Sequence, residues 1–173
     1  MFRRLADDTS GAEIAEAAAV LPLMFMILLG IFWFGQAFSI YGAITRAAQE
    51  GARAGVAPTC TTCNTSTNTA ATNALNAVNN AMIASKLDPT QAKFLSSTPS
   101  FSSCSGASTS CSGSSTNICV QAPVVLKDSG APSGVCGMSV SFQYPFQFWL
   151  PFTSLNKQKI WIPASARVRM ENQ

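Results

Sequence analysis

Six cysteines offer this chain its most reactive side chains: Cys60, Cys63, Cys104, Cys111, Cys119 and Cys136. Thiols can bind zinc, cycle between dithiol and disulfide, or cross-link an exported fold. Cys60-Thr-Thr-Cys63 is a C-x-x-C pair, but a structural zinc site calls for a second pair at similar spacing. Cys104 and Cys111 are too far apart to supply it. A thioredoxin-like redox site needs a βαβ setting, and the surrounding pattern does not suggest one. Disulfides are the favoured reading, with metal and redox thiols as the weaker ones. All six cysteines follow a long apolar segment, as expected of an anchored chain whose thiols face an oxidising compartment. Up to three bridges can form, and the sequence alone does not choose among the pairings.

Other chemistry finds little support. The chain of 173 residues has no histidine, which excludes His-based triads, imidazole ligands and imidazole acid–base work. Serines are abundant, but no G-x-S-x-G elbow occurs. Asp88, Asp128 and Glu171 are isolated acids rather than a catalytic pair, and no glycine loop for phosphate is present. We expect no enzyme activity, cofactor, metal or small-molecule substrate. A net charge of +3 without a basic run gives no source for phosphate-backbone attraction, so no nucleic-acid partner is expected.

The element that dominates the chain lies near its start. No charged side chain occurs from Ala17 to Thr45, and Ala17–Phe34 is almost wholly apolar. About 20 apolar residues are enough to cross the hydrocarbon core of a membrane as a helix. Trp33 and Tyr41 suit its headgroup boundaries. The segment exceeds the about 7–15 residues of a signal-peptide core. Pro22 removes one helical hydrogen bond and is expected to kink the helix. Ala43, Ala47, Gly51 and Gly55 fall on one stripe of its continuation. Either that stripe admits a closely packed helix, or the helix is merely alanine-rich. Glu13 and Glu16 stand at the head of the run. Glu16 either marks the helix start, where the dipole favours an anion, or needs a partner to offset its burial.

Beyond the helix the pattern is that of a small head. Pro58–Thr72 reads as a loop, and Ala70–Leu87 as a short helix with Leu75, Val78, Met82 and Ile83 on one face. Asp88-Pro89 ends it. Ser96–Asn117 is Ser/Thr/Gly-rich and reads as an exposed loop, either held by disulfides or mobile. The period then becomes two. Ile118, Val120, Ala122, Val124 and Leu126 make one strand face; Met138, Val140, Phe142, Tyr144, Phe146 and Phe148 make another. Pro145 is expected to break the second strand, bulge it or place it on an edge. Gln158–Met170 is a third strand. The aromatic face is expected to pack on a helix. The fold class is therefore α+β: a long N-terminal transmembrane or spine helix, then a head with a short helix and a three- or four-stranded antiparallel sheet.

The N-terminal segment resembles the TadE-like family of the Tad/Flp pilus system. The resemblance rests on Gly11 with Glu16 five residues later, then Leu21-Pro22, Phe34-Gly35 and the run Ala47-Ala48-Gln49-Glu50-Gly51-Ala52-Arg53. It covers about residues 11–56. A weaker echo is Ala164-Ser165-Ala166-Arg167-Val168-Arg169. Ala17 departs from the common Phe or Tyr after the acid, and Gln49 from a frequent Arg. The resemblance implies a pilin-like layout: a leader at 1–11, an anchor and spine at 12–56, and an extracytoplasmic head at 57–173. It implies cleavage between Gly11 and Ala12 by a prepilin peptidase, and pairing of Glu16 with the freed amine of a neighbour. It also implies a single-pass inner-membrane protein, N-terminus in the cytoplasm and head in the periplasm or outside. Its partners would be other pilin-like subunits and the Tad machinery. The alternative is a signal-anchored surface protein whose disulfide-bonded head binds a ligand or wall component.

Overall fold

A computed structural model describes residues 9–57, 67–104, 111, 117–126, 135–147 and 159–170. Thr9–Val56 is one helix, α1, of 48 residues. It continues through Pro22, so the proline costs a hydrogen bond without ending the element. The chain divides into two compact units, Met1–Ser39 and Ile40–Gln173. In the first, Ile14, Leu21, Phe25, Met26, Phe34 and Phe38 are all more than half exposed. The second unit begins inside α1.

That second unit is two layers around one core. The first layer is Ile40–Val56 of α1 with α2, Thr67–Ala84. Ile44, Ala47, Ala48 and Ala52 of α1 are buried with Ala71, Ala74, Val78 and Met82 of α2. The spacing of three and four puts each set on one helix face. The buried face of α2 is thus turned toward its alanines: Leu75 only packs against the core's margin, and Ile83 is 61% exposed. The expected apolar face was shifted because small residues allow two helices to approach closely. Asp88-Pro89 lies a few residues beyond the helix end. The chain leaves α2 through Lys86, whose φ is 58°. Lys86 N–H donates to the Ile83 carbonyl and Leu87 N–H to the Met82 carbonyl, both at 2.9 Å. These bonds satisfy two carbonyls that the helix end would otherwise leave open. A single 3₁₀ turn, Pro89–Gln91, follows.

The second layer is an antiparallel sheet in the order β1-β2-β3, from Cys119–Val125, Cys136–Gln147 and Lys159–Arg169. Ile118, Val120, Met138, Val140, Phe142, Tyr144, Ala164 and Ala166 face the helices. Phe146 is also buried, while Phe148 lies outside the described residues. The Tyr144 hydroxyl accepts a 3.2 Å bond from the Asp88 N–H, which ties the exit of α2 to the central strand.

The first strand departs from its expected alternation. Pairing shifts by one residue between Gln121 and Val124. An extra residue in one strand reverses the faces beyond it. Val124 and Leu126 therefore leave the helix side, and Leu126 packs at Gly137 instead. Pro123 lies in this bulge; having no N–H, it cannot donate to a ladder. Pro145, by contrast, neither breaks nor bulges β2, which pairs with β3 up to Gln147↔Lys159. Regular pairing with β1 ends at Ser141, so Pro145 sits where β2 has become an edge. Gln143, between them, exchanges two hydrogen bonds with Lys93 at 2.8 and 2.9 Å.

The Ser/Thr-rich stretch is not simply an exposed loop. Ser102 O accepts from Val125 N–H, and Cys104 N–H donates to the Pro123 carbonyl. This run thus satisfies backbone groups on the outer edge of β1, where they would otherwise be open. Phe101 lies 4.9 Å from the Arg167 guanidinium carbon. Gln121, Ser139 and Ser141 on the sheet's second face are buried, so the serines that alternate with the apolar residues of β2 do not face open solvent. Residues 105–110 and 112–116 lie outside the described part.

Candidate functional site

The residues singled out in the sequence divide between the two units. Gly11, Glu13 and Glu16 are exposed on α1. A Cβ at Gly11 would meet nothing within 4 Å. Ala12 is helical, and its side chain lies outside the description. Among the described residues no cation pairs with Glu16; the ion pair present is Arg46–Glu50, at 3.3 Å on the exposed surface of α1. The helix is long and apolar enough to cross a membrane, and none of its most apolar window is buried within the chain. Ala17–Ser39, the uncharged part within the first unit, is about 34 Å long at 1.5 Å per residue, close to the about 30 Å of a hydrocarbon core.

The small-residue stripe belongs to the second unit. Ala43 is half-buried, and Ala47, Gly51 and Gly55 are buried. A Cβ on Gly51 would run into the Val78 side chain and lie 3.1 Å from the Ala74 carbonyl oxygen. One on Gly55 would meet the Met138 thioether and lie 3.0 Å from the Ala70 oxygen. Within one chain, then, these two glycines let α2 and β2 close on α1. The run Ala47–Arg53 has a physical sense: Ala47, Ala48, Gly51 and Ala52 pack inward, while Gln49, Glu50 and Arg53 face outward.

Four cysteines form two bridges. Cys104–Cys136 joins Cα atoms 6.0 Å apart and Cys111–Cys119 joins Cα atoms 4.8 Å apart, both within ordinary disulfide reach. They pin the Ser/Thr-rich stretch to the starts of β2 and β1. Cys60 and Cys63 lie outside the described residues. Among the described residues no group of three or more His, Cys, Asp or Glu side chains is arranged to hold a metal ion.

Some contacts were not foreseen from sequence. The Asp88 carboxylate accepts from Thr90 N–H at 2.9 Å and from the Thr90 hydroxyl at 2.7 Å. The Asp-Pro-Thr sequence carries a signal for this, since Asp side chains often bond two residues on. Lys93 places its ammonium 4.8 Å over the Trp161 ring, and no local pattern points to that pair.

A family model described as TadE-like protein matches residues 11–53. Over those residues the chain is similar to the TadE-like family. The match begins at Gly11 and ends at Arg53, so the closing Ala164–Arg169 strand lies outside it. No curated protein and no solved structure gives a significant match. TadE-like proteins are structural proteins of the pilus. The TadE-like segment and its one long apolar helix fit a membrane protein associated with a Tad pilus.

Proposed function

We propose that this chain is a pseudopilin, made with a leader of residues 1–11 and cut between Gly11 and Ala12 by a prepilin peptidase. It then acts in Tad/Flp pilus assembly or secretion. The observation that carries this reading is the TadE-like match, which starts at the glycine and continues into an unburied apolar helix. The local physics supports it. A protease must bind its substrate's backbone in an open form, and a helical glycine costs about 1 kcal/mol relative to alanine. Gly11 therefore eases unwinding of the helix start, and its missing side chain leaves room for a narrow site. Cleavage frees the amine of Ala12. In an assembly that cation pairs with Glu16 of a neighbouring subunit, which offsets the cost of burying either charge. The anchor lies in the inner membrane, with Arg3 and Arg4 in the cytoplasm. The two bridges support an oxidising compartment for the head.

N-terminal sequencing of the protein from a peptidase-positive host tests the reading. The mature chain is expected to begin Ala12-Glu13-Ile14-Ala15-Glu16, and Gly11→Val to leave the longer form. A mature chain that retains Met1–Gly11 refutes processing.

A further inference from the structure

The edges of the sheet are not treated alike. The outer edge of β1 is bonded by Ser102 and Cys104, and the side of β2 left open beyond Ser141 is bonded by Lys93. The remaining edge is that of β3, and the register fixes which of its groups point outward. Met170 N–H donates to the Cys136 carbonyl at 3.0 Å, and the two strands pair onward from Gly137↔Arg169. In an antiparallel ladder, pairs that exchange hydrogen bonds alternate with pairs that do not. The even-numbered residues from Ile160 to Val168 therefore bond β2. The odd-numbered ones, from Lys159 to Arg169, turn their backbone groups away from it. Gln143 follows the same alternation on the other side of β2, where both its bonds go to Lys93. Pro163 falls on an outward position, so its missing N–H costs no ladder bond. Beyond it, Ser165, Arg167 and Arg169 each present an outward N–H and C=O, with no bond to another segment among the described residues.

The side chains decide which strand fits there. Ser165, Arg167 and Arg169 share one face of β3 by alternation, and all three are exposed. Arg167 lies over the Phe101 ring, 4.9 Å from its centroid. A guanidinium held over a ring keeps its N–H donors open to a carboxylate. Among the described residues neither arginine has such a partner, the ion pair present being Arg46–Glu50. On the other face, Ala166 is buried and Val168 half-buried at the margin of the core. We propose that the Ser165–Arg169 edge accepts an extended acidic segment of a partner protein as a fourth strand. Its acidic side chains alternate and face Arg167 and Arg169, and small apolar ones between them cover Ala166 and Val168. Charge complementarity selects this guest. Opposite charges at facing positions favour strand pairing and like charges oppose it. A second β3 paired antiparallel over these residues would set arginine against arginine. The same cations thus guard the edge against self-association and leave it open to an acidic strand. The edge lies wholly within the second unit, and its use does not depend on processing at Gly11.

The probe is a short capped peptide alternating glutamate and valine, added to the full chain in a non-ionic detergent. Amide hydrogen exchange, read by NMR, is expected to slow at Ser165, Arg167 and Arg169, and the labelled peptide to show saturable binding by fluorescence anisotropy. A peptide with lysine in place of glutamate should bind about tenfold more weakly, and high salt should narrow the difference. Arg167→Glu with Arg169→Glu should reverse the preference, with circular dichroism showing that the fold persists. On the unaltered protein, N-methylation of the peptide's glutamates removes the N–H groups that would meet the outward carbonyls while keeping every charge. Binding should then be lost. Three results overturn the proposal: no slowing of exchange even at millimolar peptide, equal binding of the glutamate and lysine peptides, or undiminished binding after N-methylation. Slowing that grows with protein concentration in the absence of peptide would assign the edge to a second copy and overturn it as well.

Discussion

At the scale of single residues, close backbone approach and local capping make the sharpest tests. A Cβ on Gly137 would lie 2.5 Å from the Val168 carbonyl oxygen and collide with Leu126. The carbonyl is part of the β2–β3 ladder and has no freedom to swing aside. Gly137→Ala should therefore destabilise the head by about 2–3 kcal/mol. Gly42→Ala, where nothing lies within 4 Å, should not. Denaturant titration of both variants in detergent, followed by near-ultraviolet circular dichroism, reads the contrast. Asp88 gives a pH test. The Thr90 hydroxyl and N–H that bond its carboxylate hold its pKa below the ordinary value. A folded-state pKa below the unfolded one adds stability at neutral pH that is lost as pH falls through the folded value. The gap in thermal midpoint between wild type and Asp88→Ala should be present at pH 7 and should close in acid, below about pH 4.

At the scale of elements, the exit of α2 and the two bridges decide how the head is held. Lys86 occupies a left-handed position, φ 58°, that glycine adopts at less cost. Lys86→Gly should stabilise the head by about 0.5–1 kcal/mol, seen as a raised thermal midpoint. The bridges differ in the chain they close. Cys104–Cys136 spans 32 residues and Cys111–Cys119 spans 8. The chain-entropy argument gives about 3–4 kcal/mol for the longer and about 2–3 for the shorter. Paired serine substitutions should reproduce that order in denaturant midpoints. The opposite order would mean that the short bridge acts by holding β1 against its neighbouring run rather than by closing a loop.

At the scale of the whole molecule, the pseudopilin proposal turns on Glu16. If Glu16 pairs with the Ala12 amine of a neighbour, Glu16→Gln leaves a buried cation without its partner, a loss of about 3–5 kcal/mol. Such a variant should be processed and held in the membrane, yet fail to co-purify with pilin partners. Undiminished recovery would return Glu16 to the role of a helix-start anion. Gly51 and Gly55 are poor substitutes as docking points, because α2 and β2 of the same chain already occupy them.

Much of this was legible in the sequence because it depends on local periodicity. The uncharged run Ala17–Thr45 marked the anchor, since a bilayer selects for composition and length alone. The period-two pattern of Met138–Phe146 marked β2, since successive side chains of a strand point to opposite faces and its apolar face therefore repeats every second residue. The small residues at 47, 51 and 55 marked close packing, but not its partner. Only tertiary structure supplied that partner, because contact between α1 and α2 depends on how the intervening loop returns the chain. The same holds for the bulge in β1. Ile118, Val120, Ala122, Val124 and Leu126 recur at every second position, with partners that are less consistently polar, yet the register against β2 slips between Gln121 and Val124 and turns Val124 and Leu126 to the other face. Register is a relation between two strands, so neither strand's sequence specifies it alone. The pairing of the four described cysteines and the edge contacts of Lys93 and Ser102 are likewise long-range, and the fold alone decided them.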